Sequence, residues 1–283
     1  MPDPEKIAGF YHSHYWQTDA KASDFLRRAE MIYQRLVLTD HIRFISRAAD
    51  ETAGATKARI LDIGCGAGFV LSVLKKKGFR VSGVDLSPRA AEVANIDYGV
   101  DVQVGDLKNM SFSEKEFDVV LLLHTLEHLA NPRVILKQIK RILADQGRLV
   151  LQVPNIESIQ FKLFGTRWYG LDVPRHLVDY SSKSLFCLLS ESGFTLERVR
   201  HFNLRDNAPA FASSLFPGLD PVSRAVRCRQ NESHESHLGA WLRDVLYLSA
   251  VVVSYPLAAI EAALGRGATV MVEAKKSLRE APK

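Results

Sequence analysis

The chain has 283 residues, enough to bury a full core, and its 47% apolar and 24% charged content excludes a disordered or fibrous chain. A net charge of +5, with Lys and Arg scattered rather than gathered into one stripe, argues against a nucleic-acid reader, whose affinity rests on clustered phosphate contacts. Cys65, Cys187 and Cys228 are odd in number and lack CxxC spacing, and Met1 to Lys6 has no apolar run after a basic start, so a cytoplasmic protein without disulfides or a secretory signal is expected.

In chain order, residues 1–57 read as a helical cap. An aromatic and histidine cluster that includes Tyr11 and Tyr15 comes first, then apolar residues at helical spacing through Phe25, Ile32, Leu36, Ile42 and Ile45. The cluster is either a lid or ordinary helix packing, since Tyr11 and Tyr15 share a helix face. Residues 58–202 read as a Rossmann-like core, in which short apolar runs bounded by turn signals alternate with helical stretches. Strands are expected over 59–63, 80–84, 101–104, 118–123, 148–153 and 195–202, with helices near 68–77, 88–95, 131–143 and 181–192. Residues 203–267 are too long for a hairpin loop and read as a helical insertion, with 230–237 exposed or mobile. Residues 268–283 form a last strand, from Thr269 to Glu273, and a tail. The predicted fold is α/β, a doubly wound, seven-stranded, mostly parallel sheet with an antiparallel last strand.

The first strand runs into Asp62-Ile63-Gly64-Cys65-Gly66-Ala67-Gly68. A glycine turn opening into a helix brings bare backbone and helix-terminal amides against a ligand. The spacing is GxGxG, not the dinucleotide GxGxxG, because position 69 is Phe69. Asp85 ends the second strand, where a carboxylate accepts hydrogen bonds from ribose hydroxyls. Asp106, after the third, is placed to meet an adenine amino group.

These residues resemble class I S-adenosylmethionine-dependent methyltransferases, and the resemblance runs on through Phe117-Asp118-Val119-Val120, His124-Thr125-Leu126-Glu127-His128 and Gly147-Arg148-Leu149-Val150. It implies S-adenosyl-L-methionine as cofactor. The glycine turn then holds the methionine moiety, Asp85 the ribose and Asp106 the adenine, within a binding set of Asp62, Gly64, Cys65, Gly66, Gly68, Asp85, Leu86, Asp106, Leu107 and His124.

Methyl transfer to a hydroxyl needs an aligned acceptor and a base near the carboxyl end of the fourth strand. His124 and His128 are placed there. The stretch is similar to the Glu-x-x-Glu-His of ubiquinone-biosynthesis O-methyltransferases, which implies a divalent cation in those relatives. Here His124 replaces the first acid, and since magnesium prefers carboxylate oxygens no metal is expected. Trp168 to Leu177 resembles the Trp-x-x-x-Asp-x-Pro-Arg-His-Leu stretch of related bacterial methyltransferases. Trp168, Tyr169, Arg175 and His176, with Tyr15, are therefore candidate acceptor contacts, and His176 is a further candidate base.

The apolar run 245–260 falls short of the roughly twenty residues a span needs and is interrupted by Pro256. Residues 241–264 read as a helix over the acceptor pocket or as a shallow membrane contact. The expected activity is O-methylation of a small aromatic, quinone-like or lipid-like acceptor. N- or C-methylation of a sugar or other metabolite is the alternative, and a non-catalytic S-adenosylmethionine-binding regulator is the rival from another class.

Overall fold

The computed structural model describes residues 34–53, 57–221, 223–224 and 237–277. Tyr15, the rest of the aromatic cluster and the stretch 230–236 lie outside them. The elements are α1 (Thr39–Ala53), β1 (Arg59–Ile63), α2 (Phe69–Lys76), β2 (Arg80–Asp85), α3 (Pro88–Tyr98), β3 (Val102–Val104), β4 (Phe117–Leu123), α4 (Pro132–Ile142), β5 (Leu143–Pro154), α5 (Ile159–Phe164), α6 (Ser182–Glu191), β6 (Phe194–Arg200), α7 (Asn207–Leu215), α8 (His237–Ala263) and β7 (Thr269–Lys276).

The strands form one seven-stranded sheet in the order β3-β2-β1-β4-β5-β7-β6, with β7 antiparallel. Ile60, Leu61 and Val119 to Leu122 are fully buried, as expected of parallel strands covered on both faces. The parallel register sets Ile63 beside Val84 and Leu123 beside Gln152, so the ends of β1, β2, β4 and β5 open on the same edge. The helices follow from local signals. Ser87 caps α3 by accepting from Ala90 N–H, with Pro88 in its first turn, and Gly99 closes it at φ 62°. In α4, Ile135, Leu136, Ile139 and Ile142 make one buried stripe while the last turn is basic.

The position of β7 has an electrostatic signature. Its Glu273, wholly buried, pairs with Arg148 of β5 at 3.2 Å and with Arg198 of β6, one cation from each flanking strand. A buried carboxylate is tolerated only with such partners.

The chain divides into two compact units. One holds residues 1–153, 173–199 and 271–283, the other 154–172 and 200–270. The second unit thus combines the 203–267 insertion with a segment of the 58–202 span. In it α7 and α8 pack through Ala208, Ala212, Val251 and Ala258, small residues that let two helices approach closely. Phe164, Trp168, Ala210 and Ala268 form a second cluster there. The helix expected over 241–264 is present, and α8 runs through Pro256 as one helix of 27 residues. A proline removes a single helical N–H bond, a cost tertiary packing can offset.

Candidate active site

The glycine turn leaves β1 at the point where strand order reverses between β1 and β4, the crevice in which open α/β sheets take their ligands. Gly64, Gly66 and Gly68 all adopt positive φ, of 75°, 54° and 74°. A Cβ on Gly64 would sit 2.5 Å from Thr125 Oγ1, and one on Gly83 2.6 Å from Cys65 Sγ, so both glycines are required by close approach. Asp85 braces the turn: its Oδ2 accepts from Gly66 N–H and its Oδ1 from Ser87 N–H, each at 2.8 Å.

Asp62 is buried, and its Oδ1 has no hydrogen-bond partner among the described residues. Burial, then the neighbouring charge of Asp85, pushes its pKa up to about 7. Asp85 is raised by burial as well, against the N–H groups of Ser87 and Gly66 that favour its ionised form. An orphaned buried carboxylate beside a second acid calls for a positive ligand and repels a pyrophosphate. A cofactor bearing an ammonium and a sulfonium fits; a dinucleotide does not. Cys65 is half-buried, with its thiol pushed up by burial and by both acids, so it offers shape and no nucleophile. Asp106 caps the turn Leu107–Asn109: its Oδ1 accepts from Lys108 N–H at 3.0 Å, and its Oδ2 lies 3.9 Å from Lys108 Nζ. Leu86 is exposed, whereas the Leu107 side chain points into the core.

His124 ends β4 at φ 54°, a conformation uncommon outside glycine and found where function constrains the backbone. Its N–H donates to Gln152 O at 2.9 Å. Gln152 Nε2 lies 2.8 Å from His124 Nε2, and His124 Nδ1 lies 3.3 Å from Glu127 Oε1. An amide NH₂ only donates, so the His124 lone pair is taken by Gln152 and its Nδ1–H points at Glu127. That arrangement fixes the orientation of the His124 ring.

The next turn, Leu126–His128, is strapped to the segment around His176: Glu127 O accepts from Leu177 N–H at 2.8 Å and from Val178 N–H at 3.2 Å. His128 Nδ1 lies 2.9 Å from Arg175 O, which fixes the proton on Nδ1 and the lone pair on Nε2. The His128 and His176 rings stand 4.9 Å apart. Glu127 is 1% exposed and its Oε2 lacks a partner among the described residues. The Tyr180 hydroxyl is likewise buried and unpartnered, its phenol raised by burial and by the Glu127 charge. One donor atom from each of Glu127, His128 and His176 lies within 4.8 Å of the others, so this trio could hold one cation. Two imidazoles and one carboxylate suit a transition metal better than magnesium.

All of these residues belong to the first unit. Trp168 and Tyr169 belong to the second, where Trp168 is 2% exposed, packed on Phe161 with its indole N–H on Gln160, and Tyr169 is half exposed. Trp168 is therefore a core residue of that unit rather than an open aromatic surface. Gln152, Thr125 and Tyr180 escaped the sequence reading. Thr125, whose hydroxyl donates to Ile63 O at 3.0 Å, lies inside the His124–His128 stretch but was given no role there.

The fold and the glycine turn define a class I methyltransferase. A family model described as a methyltransferase domain matches residues 32–199, and the chain belongs to that family. It is similar to the ubiquinone biosynthesis O-methyltransferase of Maricaulis maris, 29% identical over 185 residues covering 61% of this chain and 71% of that protein. It is also similar to the Pseudomonas aeruginosa protein of the same name, 28% identical over 139 residues covering 46% and 60%. With that relative the match spans less than two thirds of the curated protein's length. Among solved structures, a SAM-dependent methyltransferase from Archaeoglobus fulgidus matches with TM-score 0.52, 20% identity and coverage of 87% and 99%. The cyclase SpnF matches with TM-score 0.54, 20% identity and coverage of 97% and 91%. These two show the fold alone. The protein is a class I methyltransferase with S-adenosyl-L-methionine as its cofactor.

Proposed function

We propose that the chain O-methylates a small aromatic, quinone-like or lipid-like acceptor, with the cofactor seated on the turn after β1 and the acceptor hydroxyl presented to His128 and His176. The observation that carries this reading is the hydrogen bond from His128 to Arg175 O, which makes Nε2 the basic atom of an imidazole in the turn that follows β4. The two relatives named as O-methyltransferases support oxygen as the acceptor atom.

When bound, the cofactor supplies a methyl group activated on a sulfonium. Asp62 provides the counter-charge, Asp85 and Asp106 provide acceptors for ribose and adenine, and the glycines give the backbone its close approach. An acceptor hydroxyl would gain the methyl as the methyl–sulfur bond breaks and the thioether leaves, and its proton would have to be removed. His128 Nε2 takes that proton, with His176 beside it as the second imidazole. Gln152 and Glu127 hold His124 in its left-handed conformation and so shape the floor on which the acceptor rests. Arg175, which lies in the same unit as the two imidazoles, is assigned to the acceptor, and the transfer needs no metal.

The test is incubation of the purified protein with methyl-labelled cofactor and a small-molecule extract of host cells, followed by identification of the labelled product. A label on a phenolic or lipid-linked oxygen is expected. A label on nitrogen or carbon, or cofactor binding without any labelled product, overturns the proposal.

A further inference from the structure

The outward face of α8 has no role in the chemistry above. From Val245 to Leu264 the chain has a single charged residue, Glu261, which is buried and hydrogen-bonded to Gln160. At 1.5 Å per residue this is an uncharged ridge of roughly 30 Å. It is also bare: Leu246 is 56% exposed, Val252 65%, Val253 73%, Ile260 58% and Leu264 64%. Contiguous exposed apolar surface of this extent marks an interaction site.

We propose that this face of α8 lies in the interfacial layer of an anionic lipid bilayer, parallel to its plane. The helix is long and apolar enough to cross a membrane, and about a fifth of its most apolar window is buried in the protein. Its inner face decides against a span. Val251 and Ala258 pack on Ala208 and Ala212, Tyr255 Oη donates to Leu204 O at 2.9 Å, and Tyr247 Oη lies 3.0 Å from Ser213 Oγ. A spanning helix would drag the polar groups of this unit into hydrocarbon, whereas a helix in the interface keeps one face on protein and gives the other to lipid.

The charges select the occupant. Arg243 and Arg266, both exposed, stand at the two ends of the ridge. Among the described residues Asp244 pairs with Arg224, and Asp220 and Glu261 are buried. Trp241, 60% exposed, stands at the first end, the kind of residue that anchors at headgroup depth. Cationic ends favour anionic headgroups. They disfavour a second copy, because a two-fold pairing of antiparallel α8 helices would set each Arg243 against an Arg266.

The full chain is tested by co-sedimentation with vesicles of phosphatidylcholine alone and of phosphatidylcholine with phosphatidylglycerol, beside the double variant Val252→Glu/Val253→Glu. Both positions face outward, so folding and cofactor affinity are expected to stay as in the wild type. The wild type should partition at least tenfold more strongly onto the phosphatidylglycerol vesicles, and the variant should lose that binding at least tenfold. Equal partition of the two proteins overturns the proposal. So does a wild type that ignores vesicles but forms a dimer that the variant dissolves, which gives the face to a second copy. Vesicle binding is read apart from methyl transfer, so the outcome does not depend on which acceptor the enzyme takes.

Discussion

His128 Nδ1 lies 2.9 Å from the main-chain oxygen of Arg175, so one hydrogen bond sets the tautomer of the imidazole assigned as base. His128→Ala should lower kcat by about 10²–10⁴-fold, the usual worth of general-base help, while cofactor affinity changes less than about threefold. Rapid-quench kinetics with a phenolic acceptor, paired with calorimetric titration of the cofactor, measure the two quantities. A variant that keeps wild-type kcat shows that the base lies elsewhere. A chelator should leave turnover unchanged; loss of activity with recovery on adding zinc or manganese would give Glu127, His128 and His176 to a metal instead.

Asp62 makes cofactor binding depend on pH. Its folded pKa is raised from 3.8 to about 7, so the stability linked to its neutral form is complete below 3.8 and is lost as pH rises through about 7 in the cofactor-free protein. A cationic ligand needs the ionised form. Affinity for S-adenosylmethionine should therefore weaken towards tenfold for each pH unit below about 7. Asp62→Asn should bind weakly with a flat profile over the same range. Calorimetry from pH 5.5 to 8.5 tests this, and a wild-type affinity independent of pH would remove Asp62 from the cofactor.

Gly64 and Thr125 are coupled by space, since a Cβ on Gly64 would come 2.5 Å from Thr125 Oγ1. Gly64→Ala should destabilise the fold by about 1–3 kcal/mol, part of it from the φ of 75° and part from the clash. Adding Thr125→Ala should recover only the second part. A double-mutant cycle by denaturant unfolding should give a coupling of at least about 0.5 kcal/mol. Strict additivity would refute the contact.

Glu261 is the buried acid of the second unit, its pKa raised to about 7 by burial against an opposing hydrogen bond from Gln160. Here too the stability carried by the neutral form is complete below 4.5 and is lost as pH rises through about 7. Glu261→Gln should stabilise the protein by on the order of 2–3 kcal/mol at pH 8.5 and by little at pH 4.5. Melting curves at the two values decide it; the same difference at both would mean that the carboxyl does not titrate there.

The parallel half of the sheet was legible because strands buried on both faces are written as uninterrupted apolar runs, such as Val119 to Leu122, and their helices carry explicit stops such as Ser87 and Gly99. The cofactor half of the site was legible for a related reason: the turn demands glycine at fixed places and an acid at each strand end. The acceptor half was less so. Gln152 sits in β5 as one polar letter among apolar ones, and nothing local says that its amide meets a histidine from the neighbouring strand. Tyr180 and His128 are brought into one cluster by a long excursion of the chain. An aromatic beside a motif looks the same in sequence whether it faces a ligand or a core, and the burial of Trp168 is not written locally.

The ion pairs that seat β7 bear on how the chain folds. β7 is made after both strands that it separates, some seventy residues beyond β6 by the general scale of such excursions. Until it arrives, Arg148 and Arg198 face a gap without their shared carboxylate, and the edges of β5 and β6 remain open to other chains. Completion of the sheet is thus a late, long-range event, and a ribosome stalled before Thr269 would hold a species prone to aggregation rather than a smaller working enzyme.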